Sequence, residues 1–304
     1  MSNQKFAGVG TALITPLTAD GELDHAALGK LVARVGEGGA DYLVCGGTSG
    51  EGPFVRRRVR HEMIASVVEF VAGERPVVAG VITDSLETAR GELGALGDSG
   101  IDGVMVTPPY YYPLDDDQLL TYYKEVAAAS PVPVILYNIP AYARNALSPA
   151  LVSRLTEIER IVAVKDSGAR DFGLHAELIR AARHRADFAV LIGLDKLLLP
   201  SLVMGGHGLI SPSGNVFPDL APSVLAAYRD GDLAAARRQQ ETLVAAINSV
   251  EVGRFPGWWK AAVQGSGIGS AVASPLAPQP AAGDAVAISC RMESALRAGA
   301  ETQR

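Results

Sequence analysis

Short, continuously apolar runs recur along the chain, and each is followed by a segment with helical periodicity. Because the runs are apolar at successive rather than alternate positions, they predict strands that are buried on both faces, as in a parallel sheet. Their spacing of roughly 20 to 36 residues is the period of a βα unit. The eight runs begin near Val9, Asp41, Pro76, Asp102, Pro133, Ile161, Phe188 and His207.

The segments between the runs carry the signals of amphipathic helices. Asp24 is a good N-cap residue, and after it Leu31 and Val35 fall on one helical face. Eight successive βα units predict an α/β fold, a closed (β/α)8 TIM barrel. The alternative is an open doubly wound sheet, which usually has a glycine-rich phosphate turn after its first strand. Residues 15–17 (Thr-Pro-Leu) follow that strand here, so the barrel is favoured.

The C-terminal part of the chain has a different composition. After the eighth unit come alanine-rich helical stretches, then a loop rich in proline and alanine over residues 270–283, and a last helix through Met292 and Leu296. We therefore predict that residues 1–217 form the barrel with the active site and that residues 218–304 form a helical region. Because this region has no strand signal, we expect it to be structural or to form oligomer contacts.

Composition and charge exclude several classes of protein. The 304 residues are 48% hydrophobic and 20% charged with a formal net charge of −6, which excludes a disordered chain. Since no basic patch is present, we expect no nucleic-acid partner. The two cysteines, Cys45 and Cys290, are too few for a disulfide scaffold or a zinc site. We find no signal-peptide core and no bilayer-spanning stretch, so we expect a cytoplasmic protein that binds no membrane.

The reactive groups of a (β/α)8 barrel lie at the carboxyl ends of the strands. Among the residues there, Lys165 is the most specific candidate for a catalytic group. It directly continues the apolar run Ile161–Val164, so it points into a crowded apolar interior. Desolvation of an ammonium favours the neutral amine, which can attack a carbonyl and form a Schiff base. The alternative is a structural lysine, either where the strand merely reaches the surface or in a buried ion pair with Asp166, and position alone favours a structural role.

Two further strand ends offer hydroxyl groups. Tyr137 ends the preceding strand, and its phenol can transfer protons when a second hydroxyl relays them. Thr48 and Ser49 offer hydroxyls and backbone N–H groups to a carboxylate. The structural alternatives are a core tyrosine and a plain glycine-rich turn. The five histidines show no metal-ligand spacing and no carboxylates pair at strand ends, so we expect neither a metal site nor a glycosidase-type site.

Four strand-end motifs occur in order on this barrel pattern. They are Gly47-Thr48-Ser49-Gly50-Glu51, Pro108-Pro109-Tyr110, Tyr137-Asn138-Ile139-Pro140 and Val164-Lys165-Asp166-Ser167-Gly168. Together they resemble the dihydrodipicolinate synthase and N-acetylneuraminate lyase family of class I, pyruvate-type aldolases, from about Gly8 to Asn215. The resemblance implies a lyase that uses a covalent lysine Schiff base and no cofactor or metal. It also implies a small-molecule 2-oxo acid and an aldehyde as partners.

The resemblance assigns roles to individual residues. Lys165 would form the Schiff base with pyruvate or a related 2-oxo acid, and Tyr137 would shuttle protons, linked through Thr48 to Tyr110. In relatives the residue that matches Tyr110 often comes from a neighbouring subunit, which implies a homo-oligomer, either a dimer or a tetramer. The candidate substrate-binding residues are Gly47, Ser49, Tyr142, Gly193, Asp195, Lys196 and Ile210.

Two departures from the family pattern bear on the substrate. Dihydrodipicolinate synthases carry an arginine where this chain has Tyr142, and a tyrosine lacks the fork that grips a carboxylate. Lysine biosynthesis is therefore disfavoured, unless the out-of-register Arg144 takes over that role. N-acetylneuraminate lyases have an acidic residue where this chain has Lys196, which disfavours sialic acid and suits an acidic or phosphorylated substrate.

Three hypotheses follow for the function. The first is aldol cleavage or addition through a Lys165 enamine, acting on a 2-keto-3-deoxy sugar acid or a 4-hydroxy-2-oxo acid. The second is a dehydratase that uses the same lysine to expel water from a keto-deoxy sugar acid. The third is a barrel that only binds 2-oxo acids. Lys165, Tyr137 and Thr48 speak against the third, since binding alone needs no proton relay.

Overall fold

The computed structural model describes residues 4–168, 172–281 and 283–292. Its centre is a closed barrel of eight parallel strands in chain order, in which β1 is hydrogen-bonded to both β2 and β8. The closed barrel confirms the predicted fold and excludes the open sheet. The strands are β1 (Gly8–Ala12), β2 (Tyr42–Cys45), β3 (Val77–Val81), β4 (Gly103–Val106), β5 (Val134–Asn138), β6 (Ile161–Asp166), β7 (Ala189–Ile192) and β8 (Gly208–Ser211).

Helices surround the barrel and continue into the C-terminal region. Those around the barrel are α1 (His25–Glu37), α2 (Arg57–Val71), α3 (Leu86–Ala95), α4 (Asp116–Ala129), α5 (Pro140–Ala143), α6 (Pro149–Leu155), α7 (Phe172–Ala182) and α8 (Leu198–Val203). Those of the C-terminal region are α9 (Leu220–Arg229), α10 (Leu233–Val250), α11 (Gly257–Gly265) and α12 (284–292). The predicted last helix is thus found as far as Met292, and Leu296 lies outside the described residues.

Side-chain caps fix where the outer helices begin and therefore where the loops at the barrel mouth end. The carboxylate of Asp24 accepts a hydrogen bond from the Ala27 backbone N–H at 2.9 Å, as predicted for the N-terminus of α1. The Ser148 hydroxyl accepts from the Leu151 N–H at 3.0 Å, with Pro149 in the first turn of α6. Each cap satisfies a backbone N–H that has no partner inside its helix.

The interior of the barrel is a packed core rather than a pore. Large side chains from several strands meet there, and they include Tyr42, Met105, Ile135, Tyr137 and Ile210. Gly10 on β1 makes room for the Tyr42 ring, since a Cβ atom at Gly10 would lie 2.2 Å from that ring. The filled interior confines any ligand to the open carboxyl end of the barrel.

The C-terminal helices are fastened to the segment that follows β7. The Gln240 side chain in α10 donates to the Asp195 carbonyl at 3.0 Å and accepts from the Leu199 N–H at 2.8 Å. In α9, the Tyr228 hydroxyl donates to the Leu202 carbonyl at 2.8 Å. These contacts bring the helical region to the side of the barrel mouth.

The tight packing around Gly10 predicts opposite effects for two glycine substitutions. Gly10→Ala should lower the free energy of unfolding by about 1–3 kcal/mol, because the added methyl group overpacks the Tyr42 ring. Gly91→Ala in α3 should raise it by about 0.5–1 kcal/mol, since nothing lies within 4 Å of the new Cβ and alanine is the better helix former. Denaturant unfolding of both variants measures this, and equal stability of the two would contradict it.

Candidate active site

A cavity of about 960 Å³ opens at the carboxyl ends of β2 to β5. This volume lies within the range of small-molecule sites in proteins. The barrel loops line it with Thr48, Thr107, Tyr110, Ile139 and Tyr142, among others. The C-terminal region lines it with residues 254–256 and 276–279. The cavity is therefore built by both regions that the sequence separates at residue 217.

Lys165, near the carboxyl end of β6, does not itself line this cavity but lies behind Tyr137, whose hydroxyl is 3.2 Å from that of the lining residue Thr48. It is only 5% exposed, and its Nζ stands 4.2 Å from the centre of the Tyr137 ring. Tyr137 is the register partner of Lys165 on β5, so adjacent strands bring the two side chains together. Within the described chain, the Lys165 amine has no hydrogen bond or ion pair. The structure thus holds a buried amine against the face of an aromatic ring.

Asp166 does not pair with Lys165, because successive side chains of a strand point to opposite sides. Its carboxylate faces outward, where it accepts hydrogen bonds from the Asn138 side chain at 2.8 Å and the Gly168 N–H at 2.9 Å. The buried His175 in α7 lies 3.0 Å from the same carboxylate and 2.8 Å from the Ser201 hydroxyl. This network excludes the ion pair with Asp166 that the sequence left open for Lys165.

The hydroxyl of Tyr137 reaches the cavity wall through Thr48. The two hydroxyl oxygens are 3.2 Å apart, so either can donate to the other. Tyr110 lines the same cavity at its outer side and is 36% exposed. Burial, together with the charge of Asp84, raises the pKa of Tyr110. No hydrogen bond joins Tyr110 to Thr48 in the described part of this single chain. Of the two links in the expected proton relay, the structure therefore contains the one between Tyr137 and Thr48 but not the one between Thr48 and Tyr110.

The turn after β2 places Thr48 in a constrained backbone. Gly46 has φ of +67°, and a Cβ atom at Gly52 would lie 2.0 Å from the Gly46 carbonyl oxygen. The turn closes with a hydrogen bond from the Gly52 N–H to the Gly47 carbonyl at 3.0 Å. Ser49 is buried within it. These close backbone approaches explain why the turn is rich in glycine.

Glu51 ties this turn to the C-terminal region through a buried ion pair. It has φ of +58°, a region that costs free energy for a residue with a side chain. Its carboxylate lies 2.7 Å from Lys260 in α11, and both side chains are fully buried. It also accepts from the Ser274 N–H at 2.6 Å. Burial lowers the pKa of Lys260, and the Glu51 charge opposes this effect.

Glu92 in α3 holds the same turn from the outside. Its carboxylate meets Arg57 at 2.5 Å, Arg60 at 2.7 Å and His61 at 3.0 Å. Arg60 also donates to the Gly52 carbonyl at 3.0 Å, which connects this cluster to the turn. Burial acts to raise the pKa of Glu92, but the hydrogen bonds from His61, Arg60 and Arg57 outweigh it and lower the pKa to about 2.

The predicted substrate-binding residues at the ends of β7 and β8, Gly193, Asp195 and Ile210, do not line the cavity. The Gly193 N–H donates to the Asp166 carbonyl at 2.7 Å, and a Cβ atom at Gly193 would lie 1.9 Å from the Ser167 hydroxyl. Asp195 is buried and accepts from the Ser211 hydroxyl. Burial raises the pKa of Asp195, against the opposing effects of that hydrogen bond and the Lys165 charge. Ile210 is fully buried in the barrel interior.

The two residues that depart from the family pattern have different surroundings. Tyr142 lines the cavity and packs against Phe255, with ring centres 6.5 Å apart. Burial raises the pKa of Tyr142, and the Arg254 charge opposes it. Lys196 is turned toward the end of α10, where its Nζ lies 2.7 Å from the Glu251 carboxylate.

Two residues near the mouth were not singled out from the sequence. Arg254 lines the cavity from the connection between α10 and α11, a segment that carries no strand-end signal. Asn145 is buried, and its side-chain amide donates to the Pro109 and Tyr112 carbonyls at 2.6 and 2.9 Å. It thereby holds the loop that contains Tyr110. A polar residue just after a strand-end motif was the available signal for Asn145.

Neither metal ligation nor membrane insertion has a visible site in the described part of the chain. No group of three or more histidine, cysteine, aspartate or glutamate side chains is arranged there to hold a metal ion. None of the described helices is both long and apolar enough to cross a bilayer.

The fold and the mouth define a barrel enzyme with a buried lysine near its cavity. The family model of the dihydrodipicolinate synthetase family matches residues 5–283. The chain belongs to this family, which confirms the resemblance, and it is accordingly an enzyme of the class I aldolase and lyase type. A 4-hydroxy-tetrahydrodipicolinate synthase from Gluconacetobacter diazotrophicus is 34% identical over 279 residues, which cover 91% of this chain and 93% of the relative.

Other relatives carry less specific descriptions. An uncharacterized DapA-like lyase from Halobacterium salinarum is 34% identical over 84% of this chain and 83% of its own length. Among solved structures, the E. coli K12 prophage protein YagE in complex with pyruvate has a TM-score of 0.90 and 28% identity, covering 96% of this chain and 99% of that one. A monomeric dihydrodipicolinate synthase variant has a TM-score of 0.91 and 26% identity, and the match covers 96% of this chain and 97% of that chain.

The Glu92 cluster predicts a specific pH dependence of stability. The pKa of Glu92 is lowered from 4.5 to about 2 in the folded state, so its stabilising contribution is present above pH 4.5 and is lost as the pH falls toward 2. Glu92→Gln should therefore be less stable than the unmodified protein at pH 6, and this difference should shrink by pH 3. Urea unfolding at both pH values measures it, and a difference that is the same at both would contradict the assignment.

Proposed function

We propose that this protein catalyses aldol cleavage or addition through a Schiff base between Lys165 and a 2-oxo acid. One observation carries the proposal. The Lys165 amine is buried near the cavity without an acidic partner in the described chain, because Asp166 is engaged by Asn138 and His175. A buried amine that is not held in an ion pair is suited to act as a nucleophile.

The proposed reaction begins when the neutral amine attacks the keto carbon of the substrate. A carbinolamine forms, loses water, and leaves an iminium ion that withdraws electrons from the neighbouring carbon. In the cleavage direction, the bond between carbons 3 and 4 breaks and its electron pair passes into an enamine. The hydroxyl proton on carbon 4 is removed and an aldehyde departs. Protonation of the enamine and hydrolysis of the iminium then release the shorter 2-oxo acid and restore the lysine.

Tyr137 and Thr48 are suited to move the protons in these steps. Their hydroxyls are 3.2 Å apart, and the Tyr137 ring lies against the Lys165 amine. A pair of hydrogen-bonded hydroxyls can pass a proton between the reacting centre and the cavity. Tyr110, at the outer side of the same cavity, would connect this pair to solvent.

The substrate carboxylate would be bound by the turn after β2. The backbone N–H groups around Gly47, Thr48 and Ser49 can form an anion-binding concavity. The Thr107 hydroxyl is buried, lines the cavity and has no hydrogen-bond partner within the described chain, so it offers a further group to a polar ligand. Buried polar groups without a partner are unfavourable, and a bound substrate would relieve this cost.

For the 2-oxo acid that is cleaved or formed, the sequence favours a 2-keto-3-deoxy sugar acid or a 4-hydroxy-2-oxo acid. The relatives named 4-hydroxy-tetrahydrodipicolinate synthase support a second candidate, the synthesis of 4-hydroxy-tetrahydrodipicolinate. A homo-oligomer also stays a prediction, since one similar solved structure is described as a monomeric variant.

The Schiff base predicts covalent capture of pyruvate by one lysine. After incubation with pyruvate and sodium borohydride, intact-mass spectrometry should show a gain of one reduced pyruvate. Lys165→Ala should show none, because the nucleophile is removed. Lys124→Ala, which alters an exposed lysine on α4, should retain the adduct. An adduct that persists in Lys165→Ala would place the chemistry on another residue and overturn the proposal.

The proton relay predicts slow enamine formation in Tyr137→Phe. The rate of exchange of the pyruvate methyl protons in D2O, followed by NMR, reports the enamine without any aldehyde. This rate should fall by about 10²–10⁴-fold, the usual contribution of a general acid–base group. Tyr111→Phe is the matched control, since Tyr111 is 67% exposed at the rim. Equal exchange rates in the two variants would show that Tyr137 transfers no proton in this step.

A further inference from the structure

Few charged residues line the cavity, and they differ in whether their charge is paired within the protein. Among the described lining residues, only Glu51 and Arg254 are charged. The Glu51 carboxylate is offset by the buried Lys260 ammonium and by the Ser274 N–H. Asp84, whose charge acts on Tyr110, is exposed and does not line the cavity. The free charge that faces a ligand is therefore positive and belongs to Arg254.

The guanidinium of Arg254 has no hydrogen bond or ion pair in the described part of the chain. Its five N–H donors form a rigid fork that matches a carboxylate. Tyr142 and Phe255 lie beside it on the cavity wall, and Arg254 itself is exposed, so its guanidinium is accessible to a ligand that enters the cavity. Charge-assisted hydrogen bonds to a carboxylate are roughly twice as strong as those between neutral groups.

Ion pairs lie on both sides of Arg254 in the chain. On one side, Glu251 forms an ion pair with Lys196 at 2.7 Å. On the other side, Lys260 in α11 is bound to Glu51 at 2.7 Å. The connection that carries Arg254 therefore lies between an exposed ion pair on one side and a buried ion pair on the other.

We propose that Arg254 binds a second carboxylate of the substrate, at the end away from the keto carbon. This inference rests on the proposed Schiff-base function and narrows its substrates to dicarboxylic 2-oxo acids. Arg254 would supply, from the C-terminal region, the cation that is missing at Tyr142. The other two cations discussed for this role, Arg144 and Lys196, do not line the cavity.

The test compares two five-carbon 2-oxo acids that differ only in their far end. 2-Oxoglutarate ends in a carboxylate and 2-oxopentanoate ends in a methyl group. The concentration that gives half-maximal adduct after borohydride reduction is measured for each acid by intact-mass spectrometry. The unmodified protein should be captured by 2-oxoglutarate at roughly 10- to 100-fold lower concentration, the scale of a charge-assisted carboxylate contact.

The variants distinguish a loss of carboxylate recognition by Arg254 from a general structural defect. Arg254→Gln should abolish the preference by weakening capture of 2-oxoglutarate alone, and Arg254→Lys should keep part of it. Arg229→Gln, at an exposed site in α9, should behave as the unmodified protein. Absence of a preference in the unmodified protein, equal weakening of both acids in Arg254→Gln, or loss of the preference in Arg144→Gln instead would each overturn the proposal.

Failure of this inference is distinguishable from failure of the proposed function. Pyruvate has no second carboxylate, so its capture should be unchanged in Arg254→Gln. If the unmodified protein captures pyruvate but shows no preference between the five-carbon acids, the Arg254 proposal fails and the Schiff base stands. If it captures neither pyruvate nor the longer acids, the Schiff-base function itself fails.

Discussion

Closure of the parallel barrel is the constraint on which the site depends. Hydrogen bonding of β1 to both β2 and β8 leaves no open edge and directs the carboxyl end of every strand to one mouth. Large side chains fill the interior, so chemistry is confined to that mouth. The same register sets Lys165 beside Tyr137, because they are partners on adjacent strands. A slip of one residue would instead turn Lys165 outward and Asp166 inward.

The buried acids near the mouth each have a partner of their own. Asp166 is engaged by Asn138 and His175, and Asp195 by Ser211. Lone buried charges are costly, so each of these contacts compensates a desolvation penalty. Their common consequence is that the Lys165 amine stands against an aromatic ring with no carboxylate bound to it.

The C-terminal region completes the site rather than standing apart from it. The Glu51–Lys260 pair joins the turn that carries Thr48 to α11, and residues 254–256 lie over the cavity. A buried ion pair contributes little net stability against an apolar replacement, but breaking it leaves an unpaired charge. Its clearest effect here is therefore positional, since it brings two distant parts of the chain to one mouth.

The sequence by itself determined the strands, the barrel and the order of the strand-end motifs, because apolar runs and turn residues are local signals. It also singled out Lys165, Tyr137 and Thr48 as strand-end candidates, but position alone favoured structural roles for them, and only the family resemblance gave them catalytic ones. Only the tertiary structure decided that Asp166 points to His175, that Lys196 pairs with Glu251, and that Arg254 faces the cavity. These contacts join segments far apart in the chain, and their side-chain directions depend on packing that no local pattern encodes.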